Sequence, residues 1–327
     1  MIENLISPSP QMRASFSAEE ILEITGGRLA QGLMPDDVGG ISTDTRDFQE
    51  GSWFVALPGN RFDGHDFIGD AFAGGAIGCI VAERGSYPIA STSFPLIAVD
   101  DTLGALESLA RNWRRRINPK VVAVTGRRDK PISPVTMLLS QMLARKFGDK
   151  LCFMPPTTLV STGEALMTIL GINEDTRCFL TELAPFSLEE LRMVARALQP
   201  NIVVFTTDGF EHLSGTMSDI VEAHGEVLAN LDPRYRVAFV EEPHGNTLKS
   251  FIGYYPGRVD LFDMSKFEII DRTADPFTFR VDDCDQVFSM KRQFAGYLQH
   301  IWCAVKTGRE LGIDAADIAE TLSRCNL

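Results

Sequence analysis

The fold is decided by the stretch Val121-Val122-Ala123-Val124-Thr125-Gly126-Arg127-Arg128-Asp129-Lys130-Pro131-Ile132-Ser133. Its β-branched start is typical of a buried parallel strand, after which Gly126 turns the chain and Lys130 follows four residues later. Apolar residues then recur at helical spacing, at Val135, Leu138, Leu139, Met142 and Leu143. The stretch therefore has the frame of a phosphate-binding loop, in which the N-terminus of a helix faces the phosphates.

The residues inside this frame are poorly suited to phosphate. A working loop carries a second glycine before its lysine and a hydroxyl after it that reaches Mg²⁺. Here Asp129 brings negative charge to the glycine position, and Pro131 removes both the hydroxyl and a backbone donor. We favour an ordinary strand-loop-helix turn over an ATP site. The degenerate loop comprises Gly126, Arg127, Arg128, Asp129, Lys130 and Pro131.

Strands and helices alternate on both sides of this stretch. Apolar runs at 178–181, 202–205 and 237–240 are separated by single helical patterns, which predicts a doubly wound, mostly parallel sheet. An antiparallel segment at 267–270 and 277–281 is expected to follow, before a helical region from about 294 to 323. We predict an α/β fold with a flexible leader over 1–14, a small α/β domain over 15–100 and a P-loop-like domain over 101–327.

Composition limits the partners. The chain has 327 residues and a net charge of −13, from 31 Lys and Arg against 44 Asp and Glu, which argues against nucleic acid or an anionic membrane as the main partner. Neither a signal peptide nor an apolar run long enough to enter a membrane is expected. The six cysteines are scattered without a C-x-x-C pair. We therefore expect a cytoplasmic protein with reduced thiols.

Three motifs in the first hundred residues resemble one family. They are Thr43-Asp44-Thr45-Arg46, Phe54-Val55-Ala56-Leu57-Pro58-Gly59 and Phe62-Asp63-Gly64-His65-Asp66-Phe67. Together with Val122-Ala123-Val124-Thr125-Gly126 and Lys130, they are similar to the Mur ligases, from about residue 15 onward. That family is ATP-dependent and builds peptidoglycan precursors; the resemblance is to the branch that joins D-alanyl-D-alanine to UDP-MurNAc-tripeptide.

The resemblance assigns the UDP part of the substrate to the N-terminal domain. Such a role suits the residue types, because arginine pairs with diphosphate and glycine allows close backbone approach. The alternative is that these residues only maintain turns and strand ends. The candidates for nucleotide-sugar contacts, or for shaping that pocket, are Thr43, Asp44, Arg46, Gly59, Asp63, Gly64 and His65.

The central domain departs from the family pattern. Pro156-Thr157-Thr158-Leu159 replaces Gly-Asn-x-Asn, Glu222 replaces the carbamylated lysine, and Gly296-Tyr297-Leu298-Gln299-His300 replaces the adenine motif. Only Glu182 and His212 match the family's metal site, so no catalytic residue is expected beyond the remnants Lys130, Glu182 and His212. With Glu222 they could hold a divalent cation, since Mg²⁺ prefers oxygen ligands. Local hydrogen bonding by Glu182 and His212 is the favoured alternative.

The resemblance also implies a C-terminal domain, which would begin where this chain ends. The leading hypothesis is a catalytically inactive homologue, without a cofactor, that binds a UDP-MurNAc-peptide, a Mur ligase or another cell-wall protein. One alternative is a divergent Mg-ATP-dependent amide ligase completed by another chain, with Arg127, Arg128 and Lys130 as its phosphate cradle. A further alternative is a structural subunit of a complex.

Overall fold

A computed structural model describes residues 14–59, 62–84, 87, 93–125, 132–148, 152–153, 161–183, 187–206, 225, 227, 229–230, 237–240 and 257–325. The chain divides into two compact units. The first gathers the described residues up to Asn118 together with Leu166–Glu174, and the second gathers Pro119–Ala165 and the residues from Asp175 onward. The domain boundaries expected from the sequence stay a prediction.

The first unit is built on a five-stranded sheet with the order β1-β5-β4-β3-β2. Strands β2 to β5 run parallel, and β1 pairs antiparallel with β5 at one edge. Because β2, β3 and β4 are parallel neighbours, the loops that follow them leave from the same edge of the sheet. The strands are β1 (Arg28–Gln31), β2 (Ile41–Ser42), β3 (Trp53–Val55), β4 (Gly78–Ala82) and β5 (Leu96–Val99).

The described residues of this unit up to Asn118 also form three helices and one 3₁₀ turn. Helix α1 begins with a capping box, in which Ser17 and Glu20 satisfy each other's backbone N–H groups, and it packs against α3. Asp101 caps α3 by accepting from the N–H groups of Leu103 and Gly104. The elements are α1 (Ala18–Thr25), a 3₁₀ turn (Gly64–Phe67), α2 (Ile68–Ala73) and α3 (Thr102–Ile117).

The end of α3 is fixed by an aromatic and ionic cluster. The indole N–H of Trp113 donates to the carbonyl of Ile172 at 2.9 Å. The guanidinium of Arg116 lies 5.5 Å from the ring centres of both Phe16 and Trp113 and pairs with Glu20 at 2.6 Å. These contacts join α3 to α1 within the first unit.

The second unit contains a six-stranded, wholly parallel sheet with the order β11-β10-β9-β6-β8-β7. This confirms the predicted α/β fold and its parallel sheet. The strands are β6 (Lys120–Thr125), β7 (Cys152–Phe153), β8 (Cys178–Leu183), β9 (Ile202–Phe205), β10 (Val237–Val240) and β11 (Arg258–Leu261). Helices with described bounds in this part of the chain include α4 (Pro134–Phe147), α5 (Thr162–Leu170) and α6 (Leu188–Leu198).

Helix α4 follows the pattern that the sequence predicted. Its five expected core residues are completely buried, namely Val135, Leu138, Leu139, Met142 and Leu143. Ser133 caps the helix and Pro134 occupies its first position, where the missing N–H costs nothing. The expected buried strand, β6, ends at Thr125, and the expected helix begins at Pro134.

The predicted antiparallel segment is a three-stranded sheet in the order β12-β13-β14. Phe279 stacks on Phe267 and Phe277, with ring centres 4.6 and 5.3 Å apart, and this stack joins the core of the unit. The helical region expected from about 294 to 323 is two helices, because the chain turns at Gly312 with φ of 75°. The elements are β12 (Phe267–Asp271), β13 (Phe277–Val281), β14 (Phe288–Met290), α7 (Leu298–Glu310) and α8 (Ala315–Arg324).

Candidate functional site

The loops at the carboxyl edge of the first sheet carry all seven residues predicted for a nucleotide-sugar site. Residues 43–46 follow β2, and residues 56–65, apart from the undescribed 60 and 61, follow β3. Residues 83 and 84 follow β4 and reach the same edge. The first loop holds Thr43, Asp44 and Arg46, and the second holds Gly59, Asp63, Gly64 and His65.

His65 is buried and fixes the second loop to β4. The backbone N–H of Ala82 donates to Nε2 at 2.9 Å, so Nε2 carries no proton and the proton lies on Nδ1. Nδ1 donates to Oδ1 of Asp63 at 2.6 Å, while Oδ2 of Asp63 accepts from Arg84 at 2.7 Å. The Arg84 guanidinium, as the largest cause, holds the pKa of Asp63 well below its usual range. Both ring nitrogens of His65 are therefore engaged within the protein, in a positioning role.

Gly59 and Gly64 allow close backbone approach in the same loop. A Cβ on Gly64 would lie 2.6 Å from the backbone nitrogen of Leu57, whose carbonyl accepts the N–H of Gly64 at 2.9 Å. A Cβ on Gly59 would lie 2.8 Å from the carbonyl oxygen of Phe62, which accepts the N–H of Gly59 at 3.0 Å. Each glycine is needed because backbone occupies the space of a side chain.

Asp44 and Arg46 form a compact pair after β2. Oδ1 of Asp44 accepts from both the backbone N–H and Nε of Arg46 at 2.9 Å, and Nη2 of Arg46 donates to Oδ2. The Arg46 side chain is 88% exposed. The hydrogen bond from the Arg46 guanidinium lowers the pKa of Asp44 from 3.8 to about 2. The guanidinium is thus held at the edge of the sheet while most of its surface faces solvent.

Sequence reasoning missed two residues at this edge. Arg84 pairs with Asp63, and the hydroxyl of Tyr87 donates to the carbonyl of Ala82 and accepts the N–H of Arg84. Arg84 follows the apolar run of β4 by two residues, and the carboxyl ends of parallel neighbours meet at one edge of a sheet. That rule could have identified Arg84, whereas no sequence signal marks Tyr87.

In the second unit, Glu182 lies at the N-terminus of α4. The pairing of Val124 with Glu182 in the β6–β8 ladder places this side chain beside the start of the helix. Oε2 accepts from the N–H of Ser133 at 3.0 Å, from Oγ of Ser133 at 2.9 Å and from Oγ1 of Thr136 at 2.7 Å. Glu182 is only 3% exposed. The local hydrogen bonding that was expected for Glu182 is therefore present.

Several predicted residues lie outside the part of the chain that the structure describes. They are the loop residues Gly126, Arg127, Arg128, Asp129, Lys130 and Pro131, the segment 156–159, and the metal candidates His212 and Glu222. Across the described ranges no three His, Cys, Asp or Glu side chains are grouped as metal ligands. No helix in those ranges has the length and apolar character to span a bilayer. No disulfide involves the described cysteines Cys79, Cys178, Cys284, Cys303 and Cys325.

Comparison with known proteins agrees with this fold. The model of the Mur ligase family, catalytic domain, matches residues 37–114. A UDP-N-acetylmuramoyl-tripeptide--D-alanyl-D-alanine ligase from Haemophilus influenzae is 31% identical over 63% of this chain and 44% of its own length. The enzyme of the same name from Bacillus subtilis is 29% identical over 66% of this chain and 46% of its own length. The match therefore spans slightly less than half the length of each of these two relatives.

Solved structures show the same architecture. MurF from Acinetobacter baumannii superposes with a TM-score of 0.78 at 21% identity, covering 97% of this chain and 69% of that one. MurF ligase from Thermotoga maritima in complex with ADP gives 0.68 at 22% identity, covering 85% and 65%. The fold and the sequence matches define the class of protein that this chain resembles, which is the Mur ligases. Within that class, the relatives described above are the MurF ligases.

The close approach at Gly64 gives a test of the loop geometry. We expect Gly64→Ala to lower the free energy of unfolding by about 1–3 kcal/mol, because its Cβ meets backbone that cannot move easily. Gly69→Ala in α2 is the matched control, since nothing lies within 4 Å of its Cβ position. Helix propensity favours alanine there by roughly 0.5–1 kcal/mol. Urea unfolding followed by tryptophan fluorescence measures both, and equal effects of the two changes would contradict the account.

The Asp44–Arg46 pair gives a test by pH. Since the folded pKa is lowered from 3.8 to about 2, the pair stabilises the fold above pH 4 and loses that contribution as the pH falls toward 2. We expect the NMR titration of the Asp44 carboxyl to have its midpoint near 2. Arg46→Gln should move it toward 3.8. Asp271, whose pKa is lowered by Thr273 instead, is the internal control and should not move. A midpoint for Asp44 that ignores Arg46→Gln would refute the pairing.

Proposed function

We propose that this protein is a catalytically inactive, MurF-like homologue that binds a UDP-MurNAc-peptide at the carboxyl edge of its first sheet. The observation that carries the inactive part of this proposal is the position of Glu182, whose carboxylate accepts three hydrogen bonds from Ser133 and Thr136 at the start of α4. The edge of the first sheet keeps guanidinium groups partly exposed. The carboxylate of Glu182, in contrast, is occupied by hydrogen bonds within the protein.

The engagement of Glu182 opposes nucleotide hydrolysis in two ways. A metal ion at Oε2 would have to displace donors from Ser133 and Thr136, although carboxylate oxygen is a ligand that Mg²⁺ ordinarily prefers. The N-terminus of α4, which would attract a phosphate, already faces a carboxylate of the protein itself. Asp129 and Pro131 add a negative charge and remove a hydroxyl from the loop before it. We propose no cofactor for this unit.

The edge of the first sheet supports the binding half of the proposal. The relatives from H. influenzae and B. subtilis are named for UDP-N-acetylmuramoyl-tripeptide, so a ligand of that class is the natural candidate. Arg46 and Arg84 supply guanidinium groups, which suit a diphosphate. Each is paired with an aspartate, so the diphosphate would share or replace those contacts. Gly59 and Gly64 allow the close backbone packing that shapes this edge.

Isothermal titration calorimetry with UDP-MurNAc-tripeptide tests the binding. We expect saturable binding to the wild-type chain and a loss of about 1.5–3 kcal/mol in binding free energy when Arg84→Ala removes a charged hydrogen-bond donor. Arg145→Ala is the matched control, because Arg145 lies in the second unit, pairs with the carboxylate of Glu320 and has a side chain 38% exposed against 40% for Arg84. No binding at millimolar ligand would remove the nucleotide-sugar cargo and leave a Mur ligase or another cell-wall protein as the partner.

A thermal shift with Mg-ATP tests the inactive centre. A ligand present at one hundred times its dissociation constant stabilises a protein by about 2.7 kcal/mol. We expect no shift at millimolar Mg-ATP. A shift of that size would instead support the divergent amide ligase, with Arg127, Arg128 and Lys130 at its phosphates.

A further inference from the structure

A cavity of about 330 Å³ lies in the second unit, at the amino edge of its parallel sheet. Strand β11 begins there at Arg258, and helix α7 ends there at Glu310. Glu182 lies near the carboxyl end of β8, at the opposite edge of the same sheet. The volume is at the small end of the range for ligand pockets, about 300 to 1,000 Å³. The lining residues are all charged, namely Arg258, Asp260, Asp283, Lys306, Arg309 and Glu310.

Lys306 is a largely buried cation of this cavity. Its side chain is 10% exposed, and Nζ lies 5.7 Å from the ring centre of Trp302. Nζ also lies 3.5 Å from Oδ2 of Asp282 and 3.3 Å from Oδ2 of Asp283. The indole N–H of Trp302 donates to Oδ1 of Asp282 at 2.8 Å. The charge of Lys306 is therefore compensated within the protein, and its contacts hold Asp283 at the cavity.

Arg309 and Asp283 present opposite charges next to each other. Nη1 of Arg309 donates to the backbone carbonyl of Asp283 at 2.5 Å. Within residues 257–325, Arg309 forms no ion pair with a carboxylate, and no donor contacts Oδ1 of Asp283. The left-handed φ of 57° at Asp283 lets this residue present its carbonyl to Arg309 and its carboxylate to Lys306. An α-amino acid carries the complementary carboxylate and ammonium on one carbon atom.

Arg258 shows that the other part of the cavity suits a guanidinium. Its Nε lies 3.3 Å from Oδ2 of Asp260, and its Nη2 lies 2.5 Å from Oε2 of Glu310. These two carboxylates are thus close enough for one planar guanidinium to span them. Each carboxylate has about four lone-pair sites, so acceptor capacity remains for a second guanidinium.

The charge of the cavity favours a ligand with a net positive charge. Four carboxylates, including Asp282 beside Lys306, stand against three cations, which leaves one negative charge. The carboxylates are Asp260, Asp282, Asp283 and Glu310, and the cations are Arg258, Lys306 and Arg309. An α-amino acid with a guanidinium side chain carries one net positive charge near neutral pH, so it neutralises this excess.

We propose that this cavity is a binding site for a free α-amino acid with a guanidinium side chain, such as arginine. Its carboxylate contacts Arg309, and its α-ammonium contacts Asp283. Its guanidinium lies between the carboxylates of Asp260 and Glu310. The site lies in the second unit and uses none of the residues proposed for the nucleotide sugar, so it goes beyond the proposed function.

Isothermal titration calorimetry with L-arginine and three analogues tests the site. Agmatine lacks the carboxylate, Nα-acetyl-L-arginine lacks the α-ammonium, and L-citrulline has a neutral side chain of nearly the same shape. We expect saturable binding of L-arginine. Each analogue should bind about 10- to 150-fold more weakly, the range for loss of one hydrogen bond to a charged group.

Variants of the lining residues assign the two ends of the ligand. Arg309→Ala should weaken L-arginine binding by the same factor of about 10- to 150-fold. Glu310→Gln should reduce the preference for L-arginine over L-citrulline. Arg324→Ala is the matched control, because Arg324 is an exposed arginine of the same unit that pairs with Glu320 outside the cavity. It should bind as the wild type does, and circular dichroism establishes that each variant is folded.

Three results would overturn the proposal. The first is no binding of L-arginine at millimolar concentration. The second is equal binding of Nα-acetyl-L-arginine or agmatine, since the α-amino acid group would then not be recognised. The third is an equal loss in Arg324→Ala and Arg309→Ala, which would indicate a general effect of surface charge. Titration with UDP-MurNAc-tripeptide is a separate measurement, so failure of one proposal is distinguishable from failure of the other.

Discussion

The carboxylate of Glu182 connects the parallel sheet of the second unit to the helix that follows the central loop. It reaches the helix start because β8 is the direct neighbour of β6 and Glu182 is level with Val124. A buried carboxylate must be compensated by hydrogen bonds, and Ser133 and Thr136 supply three of them at one oxygen. This network completes the described end of the sheet, and our proposal of an inactive centre rests on it.

The first unit uses its polar residues differently. His65, Asp63 and Arg84 form a chain of hydrogen bonds that begins at the backbone of Ala82 and ends at an accessible guanidinium. The buried side chain of His65 fixes the shape of the loop, and the partly exposed guanidinium of Arg84 remains able to contact a ligand. The motif Asp63-Gly64-His65 therefore supports the backbone of the loop and orients the guanidinium of Arg84. We therefore propose ligand binding at the first unit and catalytic inactivity at the second.

The predictability of the fold differs between its elements. Helix α4 was predicted because its apolar residues recur at helical spacing, so that a helix buries all of them on one face. The parallel strands were predicted from continuous apolar runs. Strand β1 was missed because Arg28–Gln31 has no such run and is held at the sheet edge by pairing with β5. Strand β14 has three residues and likewise depends on its neighbour. Short edge strands are formed by tertiary pairing rather than by local pattern.

The candidate site was predicted in its residue types and only partly in its contacts. The missing hydroxyl at Pro131 was evident in the sequence, but the hydroxyls of Ser133 and Thr136 bind Glu182 only because the β6–β8 register brings them together. The exposure of Phe62 could not be predicted from its residue type, because it depends on the backbone hydrogen bond that joins Phe62 to Gly59.

The most direct test of the central claim is a measurement of ADP release from Mg-ATP in the presence of UDP-MurNAc-tripeptide and D-alanyl-D-alanine. The account predicts that ADP release stays at the background rate and that the nucleotide sugar is recovered unchanged, although it binds. Release of ADP in equal amount with a new amide product would contradict the account.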